Sequence, residues 1–224
     1  MAIATASVGI VIGISTLTGA AQFIGDYLLQ FSQGNLVLTL IFIAVISIIM
    51  GMGLPTVATY VLLAVVAAPA IVSFGVPVLA AHFYVFYFGL MANVTPPVAI
   101  PAYAAAGISG ANPSDAGWAA LKLCLPAFLM PFIFVYSPDI LFVEGYSWAQ
   151  IIEVSITAFI GILLFSIAVE NYFLSPLKRW ERLLLFASSL MLIKPGIYTD
   201  LTAIILVAVI TYSQYRAVKM KRMA

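Results

Sequence analysis

The sequence predicts an all-α, polytopic membrane protein, and three observations carry that reading. Of the 224 residues, 64% are apolar and only 8% are charged, against roughly 45–50% and about 25% in soluble domains. The charges are also segregated: Asp26 is the only acid before Asp115, and no Lys or Arg precedes Lys122. Finally, the apolar residues come in runs near the ~20 that a helix needs to cross the ~30 Å hydrocarbon core. A mean hydropathy of +1.17 agrees. The net charge of +1 provides no field for polyanions, so no nucleic-acid partner is expected. One cysteine, Cys124, and one histidine, His82, exclude a disulfide framework and a Cys/His metal cluster. The N-terminus lacks the basic n-region of a signal peptide.

The first predicted span is Ala2 to Ile24, closed by Asp26 and the polar stretch Gln30 to Asn35. An uncharged run from Leu36 to Phe74 follows, interrupted only by Gly51-Met52-Gly53-Leu54-Pro55-Thr56. Its first arm, Leu36 to Met50, is 15 residues, roughly 22 Å as helix and short for a span. The second arm, Val57 to Phe74, contains Pro69. Two readings compete: two short spans joined by a turn in water, or a re-entrant hairpin turning inside the membrane. A turn in water normally gathers charge, and this one has none, so the hairpin over 36–74 is the favoured reading. Irregular backbone at that depth requires cover from protein or a water-filled cavity.

The element over 76–109 begins with the aromatic string His82 to Phe88 and contains Asn93-Val94-Thr95-Pro96-Pro97-Val98-Ala99-Ile100-Pro101. Adjacent prolines remove two N–H donors and clash with the preceding turn, and Thr95 is pushed from helical geometry by the proline after it. The helix is therefore expected to break at about Val94 to Pro97, leaving carbonyls of about Leu90 to Asn93 in need of partners. Asn112-Pro113-Ser114-Asp115 is a helix-start signal. Further spans are predicted over Ala116 to Tyr136, with kinks at Pro126 and Pro131, and over Trp148 to Phe173, with aromatic anchors. A short apolar run from Arg182 to Ile193, a turn at Lys194-Pro195-Gly196 and a last run from Thr199 to Tyr215 complete the chain.

Loop 175–182 and tail 216–222 hold seven of the nine basic residues. The positive-inside rule assigns both to the cytoplasm. The C-terminus is then cytoplasmic, loop 138–147 is outside, and the 36–74 hairpin opens from the outer face. Parity alone does not exclude two full spans there.

Enzyme chemistry finds little support. There is no HExxH and no span with paired aspartates. Gly107-Ile108-Ser109-Gly110 matches the short GxSG string of rhomboid proteases, but the one histidine precedes the serine rather than following it. No charge lies at the centre of any span, so a carboxylate proton relay is absent. A transporter built from this chain would hold its ion by backbone carbonyls and hydroxyls, as broken helices and re-entrant tips allow.

Gly51 to Thr56, then Ala81-His82-Phe83, then Thr95-Pro96-Pro97-Val98-Ala99, in that order and spacing, resemble the large (DctM-like) membrane subunit of TRAP transporters. The fused permease of the TAXI type is the most similar class. Ala2 to Gly19, Ala104 to Ile108 and Phe134 to Pro138 match as well. The resemblance covers most of 1–140, and 141–224 is similar to the C-terminal helices of the fused class. It implies a sodium-coupled secondary importer of small organic acids in the inner membrane, with Na⁺ as coupling ion and no other cofactor. It also implies two inverted repeats, of which residues 1–140 look like the second. The implied sodium-site positions are Gly51, Gly53, Thr56, Asn93, Thr95 and Pro96. Thr59, Val98, Ala99 and Pro101 would lie nearer substrate. Dicarboxylate-type members often carry an Asp after the tip leucine, where this chain has Pro55. The implied partners are a periplasmic TAXI-type substrate-binding protein, an N-terminal permease half or small membrane subunit, and the lipid bilayer. Because fused permeases are much longer, a partial chain is expected. The alternatives are a non-transporting membrane scaffold or degenerate fragment and, from another class, an intramembrane hydrolase.

Overall fold

All regular structure named in the computed structural model is helical. The structure describes residues 6, 9–10, 13–14, 17–143, 145, 147–194 and 196–223. Most of the first predicted span, together with Glu144 and Pro195, lies outside the described residues. The chain divides into two compact units, Met1–Cys124 and Leu125–Ala224.

In the first unit, α1 (Ala20–Phe31) leads through a turn into α2 (Leu36–Gly51). Asn35 starts α2: its Oδ1 accepts from the N–H groups of Val37 at 2.9 Å and Leu38 at 3.3 Å, covering two donors that no helical partner reaches. An unbroken aliphatic run carries α2 onward. Leu40, Ile43, Ala44, Ser47 and Gly51 form its buried stripe, with the spacing of one helix face. Residues 52–55 then reverse the chain into α3 (Thr56–Val66). At about 1.5 Å per residue, α2 is roughly 24 Å long and α3 roughly 17 Å, both short of a ~30 Å core. The second arm is not continuous. It steps at Ala67 and restarts as α4 (Ala68–Val72), with Pro69 in the first turn, the helical position where a missing N–H costs nothing.

The helix α5 (Val78–Met91) packs against both arms of the α2–α3 hairpin. Its Tyr84 is wholly buried, and the Tyr84 hydroxyl donates to the Leu40 carbonyl of α2 at 2.7 Å. The chain unwinds over residues 92–99 and resumes as α6 (Ile100–Ser109). Gly110, at φ 73°, closes α6 in a left-handed cap. Asn112 then starts α7 (Pro113–Cys124) by accepting from the Ser114 N–H at 2.9 Å. Asp115 in its first turn and Lys122 in its last suit the helix dipole.

The second unit opens with a 3₁₀ turn, Leu125–Leu129, followed by α8 (Met130–Tyr136). The expected kink at Pro126 is thus a change of helix type. Pro131 sits in the first turn of α8. After a second 3₁₀ turn, Pro138–Leu141, come α9 (Trp148–Glu170), α10 (Arg179–Met191) and α11 (Ile197–Met223). A reciprocal capping box, Ser147 with Gln150, starts α9. Gly161 lets α10 approach: a Cβ there would sit 3.2 Å from the Leu192 Cβ. Leu164, Ala168, Leu185, Ala203 and Ile210 form the shared core of these three helices. Three runs have the length and composition to cross a membrane: Pro113–Tyr136, Trp148–Glu170 and Ile197–Lys219. The last helix runs on through the basic tail, beyond the Tyr215 boundary expected from hydropathy.

Candidate functional site

The hairpin tip and the helix break meet in the first unit. Gly53 carries the reversal at φ 81°, a conformation that costs a side-chain-bearing residue but not glycine. Pro55 follows at φ −61°, which its ring favours, and sits at the N-cap of α3 without a side-chain cap. The first N–H groups of α3 thus have no capping side chain. Gly51 is the point of closest approach. A Cβ on it would lie 2.7 Å from the Ala92 Cβ, 3.0 Å from the Gly89 carbonyl oxygen and 3.2 Å from Thr59 Cγ2. Gly89 in turn has Thr59 Cγ2 only 3.0 Å from its own Cβ direction. Two glycines therefore bring the end of α2 and the end of α5 into backbone contact.

The break is wider than Val94 to Pro97, because α5 winds down before it stops. The N–H groups of Asn93, Val94 and Thr95 reach back three residues, to Leu90, Met91 and Ala92. The Thr95 hydroxyl donates to Met91 O at 2.8 Å and the Asn93 amide to Leu90 O at 3.5 Å. Most carbonyls orphaned by the prolines are thus satisfied locally, as buried backbone requires. The Pro96–Pro97 bond is cis, and Ala99 turns the chain at φ 29°. The Tyr103 hydroxyl closes the loop from the far side by donating to Pro97 O at 2.9 Å. Among the described residues, the carbonyls of Asn93, Val94 and Pro96 take no protein hydrogen bond. The helix α7 also packs on the break, at Gly117, whose Cβ would fall 2.9 Å from Tyr103 and 3.6 Å from Pro96 Cγ. No Asp, Glu, Lys or Arg occurs between Asp26 and Asp115, so the polar groups that the tip and the break themselves supply are carbonyls, hydroxyls and amides.

Of the residues singled out from sequence, Gly51 is buried against the break, Asn93, Thr95 and Pro96 are half-buried within it, and Thr56 is half-buried at the start of α3. Gly53 is exposed at the turn. Thr59 has no exposed surface, and its hydroxyl donates to Pro55 O at 3.2 Å. Ala99 is likewise buried, Val98 half-buried and Pro101 exposed. Residues that sequence reasoning passed over are Gly89, Ala92, Tyr103 and Gly117, which frame the break, and Ser47. The Ser47 hydroxyl lies one turn before Gly51 on the same face of α2, fully buried and with no partner among the described residues. Its signal was a serine inside an aliphatic run.

A second polar centre, in the other unit, was also missed. Glu181 has no exposed surface. Its carboxylate accepts from Ser213 Oγ at 2.6 Å, Gln214 Nε2 at 2.6 Å and the Lys178 N–H at 2.8 Å. Burial pushes this carboxyl up. The hydrogen bonds from Ser213, Lys178 and Gln214, with the Lys178 charge, outweigh that and hold it below its ordinary range. Gln214 also accepts from Ser175 N and Oγ, and Arg182 Nε caps Ala168 O at the end of α9 at 2.9 Å.

The model of one protein family, "Tripartite ATP-independent periplasmic transporter, DctM component", matches residues 1–140, which is more than half of the chain. The chain belongs to the TRAP large-permease family. It is a multi-pass inner-membrane transport component and not an enzyme, and permeases of this family work with a periplasmic binding protein. Both the tip and the double-proline break fall within the matched TRAP segment. A second model, "Domain of unknown function (DUF3394)", matches residues 151–203, from the body of α9 into α11. No curated protein and no solved structure matches the chain.

Proposed function

We propose that residues 1–140 form the second inverted repeat of a sodium-coupled TRAP permease that imports small organic acids. In this reading 36–74 is a re-entrant hairpin, 76–109 is the broken helix, and 141–224 supplies C-terminal helices ending in the cytoplasm. The partners are a TAXI-type binding protein and a polypeptide carrying the first repeat or the small membrane subunit. The observation that carries the reading is the apposition of tip and break at Gly51, Gly89 and Ala92. It gathers helix ends, free carbonyls and hydroxyls where no charged side chain is available. Helix C-terminal carbonyls suit Na⁺, and uncapped helix N-termini suit an anionic group. Gly51, Gly53, Thr56, Asn93, Thr95 and Pro96 are the ion-site positions. Thr59, Val98, Ala99 and Pro101 shape the substrate side, Thr59 by bracing the tip from within. The lengths of α2 and α3 support the hairpin, because neither reaches across a hydrocarbon core.

The test is substrate uptake into proteoliposomes by the full assembly with its binding protein, measured against sodium concentration. Thr95→Ala frees the Met91 carbonyl from its hydroxyl partner, and Gly53→Ala strains the tip. Both are expected to shift the half-saturating sodium concentration upward by about tenfold, the equivalent of ~1.4 kcal/mol. Unchanged sodium dependence in both variants sinks the site assignment. Uptake with no sodium dependence in the parent assembly sinks the coupling itself.

A further inference from the structure

Ser47 has no exposed surface, and its hydroxyl has no partner among the described residues. A buried hydroxyl left unmatched is destabilising, and a local remedy was within reach. Thr39, Thr59 and Thr95 of the same unit each donate to the carbonyl four residues back, at 3.0, 3.2 and 2.8 Å. Ser47 forgoes that bond to Ile43, so its rotamer turns the oxygen elsewhere.

A second unmatched oxygen faces the same stretch of α2. The Gly89 carbonyl belongs to the last turn of α5, and the two N–H groups that could reach it bond to others. Ala92 donates to Phe88 O at 3.2 Å and Asn93 to Leu90 O at 3.1 Å. This carbonyl oxygen lies 3.0 Å from where a Cβ on Gly51 would stand. Helical Cβ positions lean toward the N-terminus, so that point lies over the turn of α2 between Gly51 and Ser47. The Ser47 hydroxyl and the Gly89 carbonyl thus border one buried seam without bonding each other.

The field in this seam selects its occupant. Here α2 ends at Gly51 and α5 at Met91, so two helix C-termini converge. Each carries about half a negative elementary charge, and neither last turn holds a basic residue. A cation answers that field, whereas a water leaves it uncompensated. The absence of a carboxylate between Asp26 and Asp115 suits a single positive charge better than two.

We propose that the Ser47 hydroxyl and the Gly89 carbonyl are two further ligands of the sodium ion. They extend its site from the exposed turn at Gly53 into the closed seam beside Gly51. The inference rests on the sodium-coupled reading above and names the residue that holds the ion out of contact with water.

The experiment is thermal unfolding of the purified full chain across a sodium titration at constant ionic strength, with potassium as the replacement ion. An ion that binds only the folded chain raises its melting temperature, so the parent should melt higher in sodium. In potassium, Ser47→Ala should melt at or above the parent, because an unmatched buried group has gone. It should need roughly tenfold more sodium for half of the rise, the scale of one bond to a charged group. Ser47→Cys keeps the side-chain shape but replaces hard oxygen with soft sulfur, and should weaken the sodium response as much. A Ser47→Ala chain that keeps the parent's response overturns the inference. If Thr95→Ala still weakens the response in that case, the wider sodium reading stands without Ser47. A Ser47→Ala chain that melts lower by the same amount in both salts has lost a water or a packing contact, which also overturns the inference. A parent that melts alike in sodium and potassium overturns both readings.

Discussion

Gly51 and Gly53 lie two residues apart in the hairpin tip, and physics requires glycine at each for a different reason. At Gly53 the requirement is conformational: φ is 81°, and nothing stands within 4 Å of a built Cβ. An alanine there strains its own backbone by about 1–2 kcal/mol and disturbs nothing else. At Gly51 the backbone is helical and the requirement is space, because Ala92 Cβ and the Gly89 carbonyl leave no room. Gly51→Ala must push the tip away from the break, an overpacking that typically costs about 1–3 kcal/mol. Thermal unfolding of the detergent-purified chain should therefore show Gly51→Ala partly rescued by Ala92→Gly, which removes the nearest obstacle but leaves the Gly89 carbonyl. The same Ala92→Gly change should leave Gly53→Ala unrescued. Non-additivity in the first pair and additivity in the second is the expected pattern. Additive effects in both would mean that tip and break are not in contact. Both glycines stood out in the sequence as members of one motif. Their separate roles did not, because the second role depends on Gly89 and Ala92, 38 and 41 positions further along.

At the scale of elements, the sequence was most informative where a local rule acts alone. Asn112 announced a helix start through its side chain, and Pro96-Pro97 announced a break, while the caps at Asn35 and Ser147 were passed over. It was least informative where local bonds compensate each other. Winding down through Asn93 to Thr95 widened the break to residues 92–99, and Pro69 stepped the second hairpin arm instead of merely bending it. The latch between α10 and α11 was invisible, because Glu181 finds Ser213 and Gln214 across more than thirty residues. In the sequence Glu181 is one acid within the basic loop 175–182. Its burial makes it testable. Three donors converge on two carboxylate oxygens, and glutamine supplies only one acceptor oxygen, so Glu181→Gln leaves a buried donor unmatched at about 1–3 kcal/mol. The carboxyl is held below its ordinary range in the folded chain. Its stabilisation is therefore complete above the unfolded value near pH ~4.3 and is lost as pH falls through the lower folded value. The melting-temperature gap between parent and Glu181→Gln should stay constant from neutral pH to about pH 5 and then narrow with further acidification. A gap that widens on acidification would reverse the assigned direction of the shift.

At the scale of the whole molecule, the segregation of charge becomes an argument about direction. The half without basic residues has no positive charge to orient it, so its placement must follow from the half that does. Lys178, Arg179 and Arg182 lie between α9 and the body of α10, while Arg216, Lys219, Lys221 and Arg222 lie at the end of the chain. The structure separates these residues by task. Arg182 is committed to the Ala168 carbonyl and its guanidinium lies over the Phe186 ring, so it is partly structural. Lys178 contributes its N–H and its charge to Glu181. Arg179 and the tail cations are the more separable orienting charges. Two helices, α10 and α11, connect the two clusters, which puts both on one side if each helix crosses. Although α10 spans only 13 residues, roughly 20 Å as helix, the residues flanking it extend the path toward α11. The expected outcome is that a cysteine placed after residue 222, in a Cys124→Ser background, is labelled by a membrane-impermeant maleimide only from the cytoplasmic face. A cysteine at Ser147 should be labelled only from the opposite face. Replacing Arg179, Arg216, Lys219, Lys221 and Arg222 together by glutamine should produce a mixed population, because the bias counts positive charge near the ends of the spans. Labelling of the tail and of Ser147 from the same face would require an odd number of crossings between them to be wrong. It would force α10 to lie along one face of the membrane, and it would turn the hairpin over to the other side.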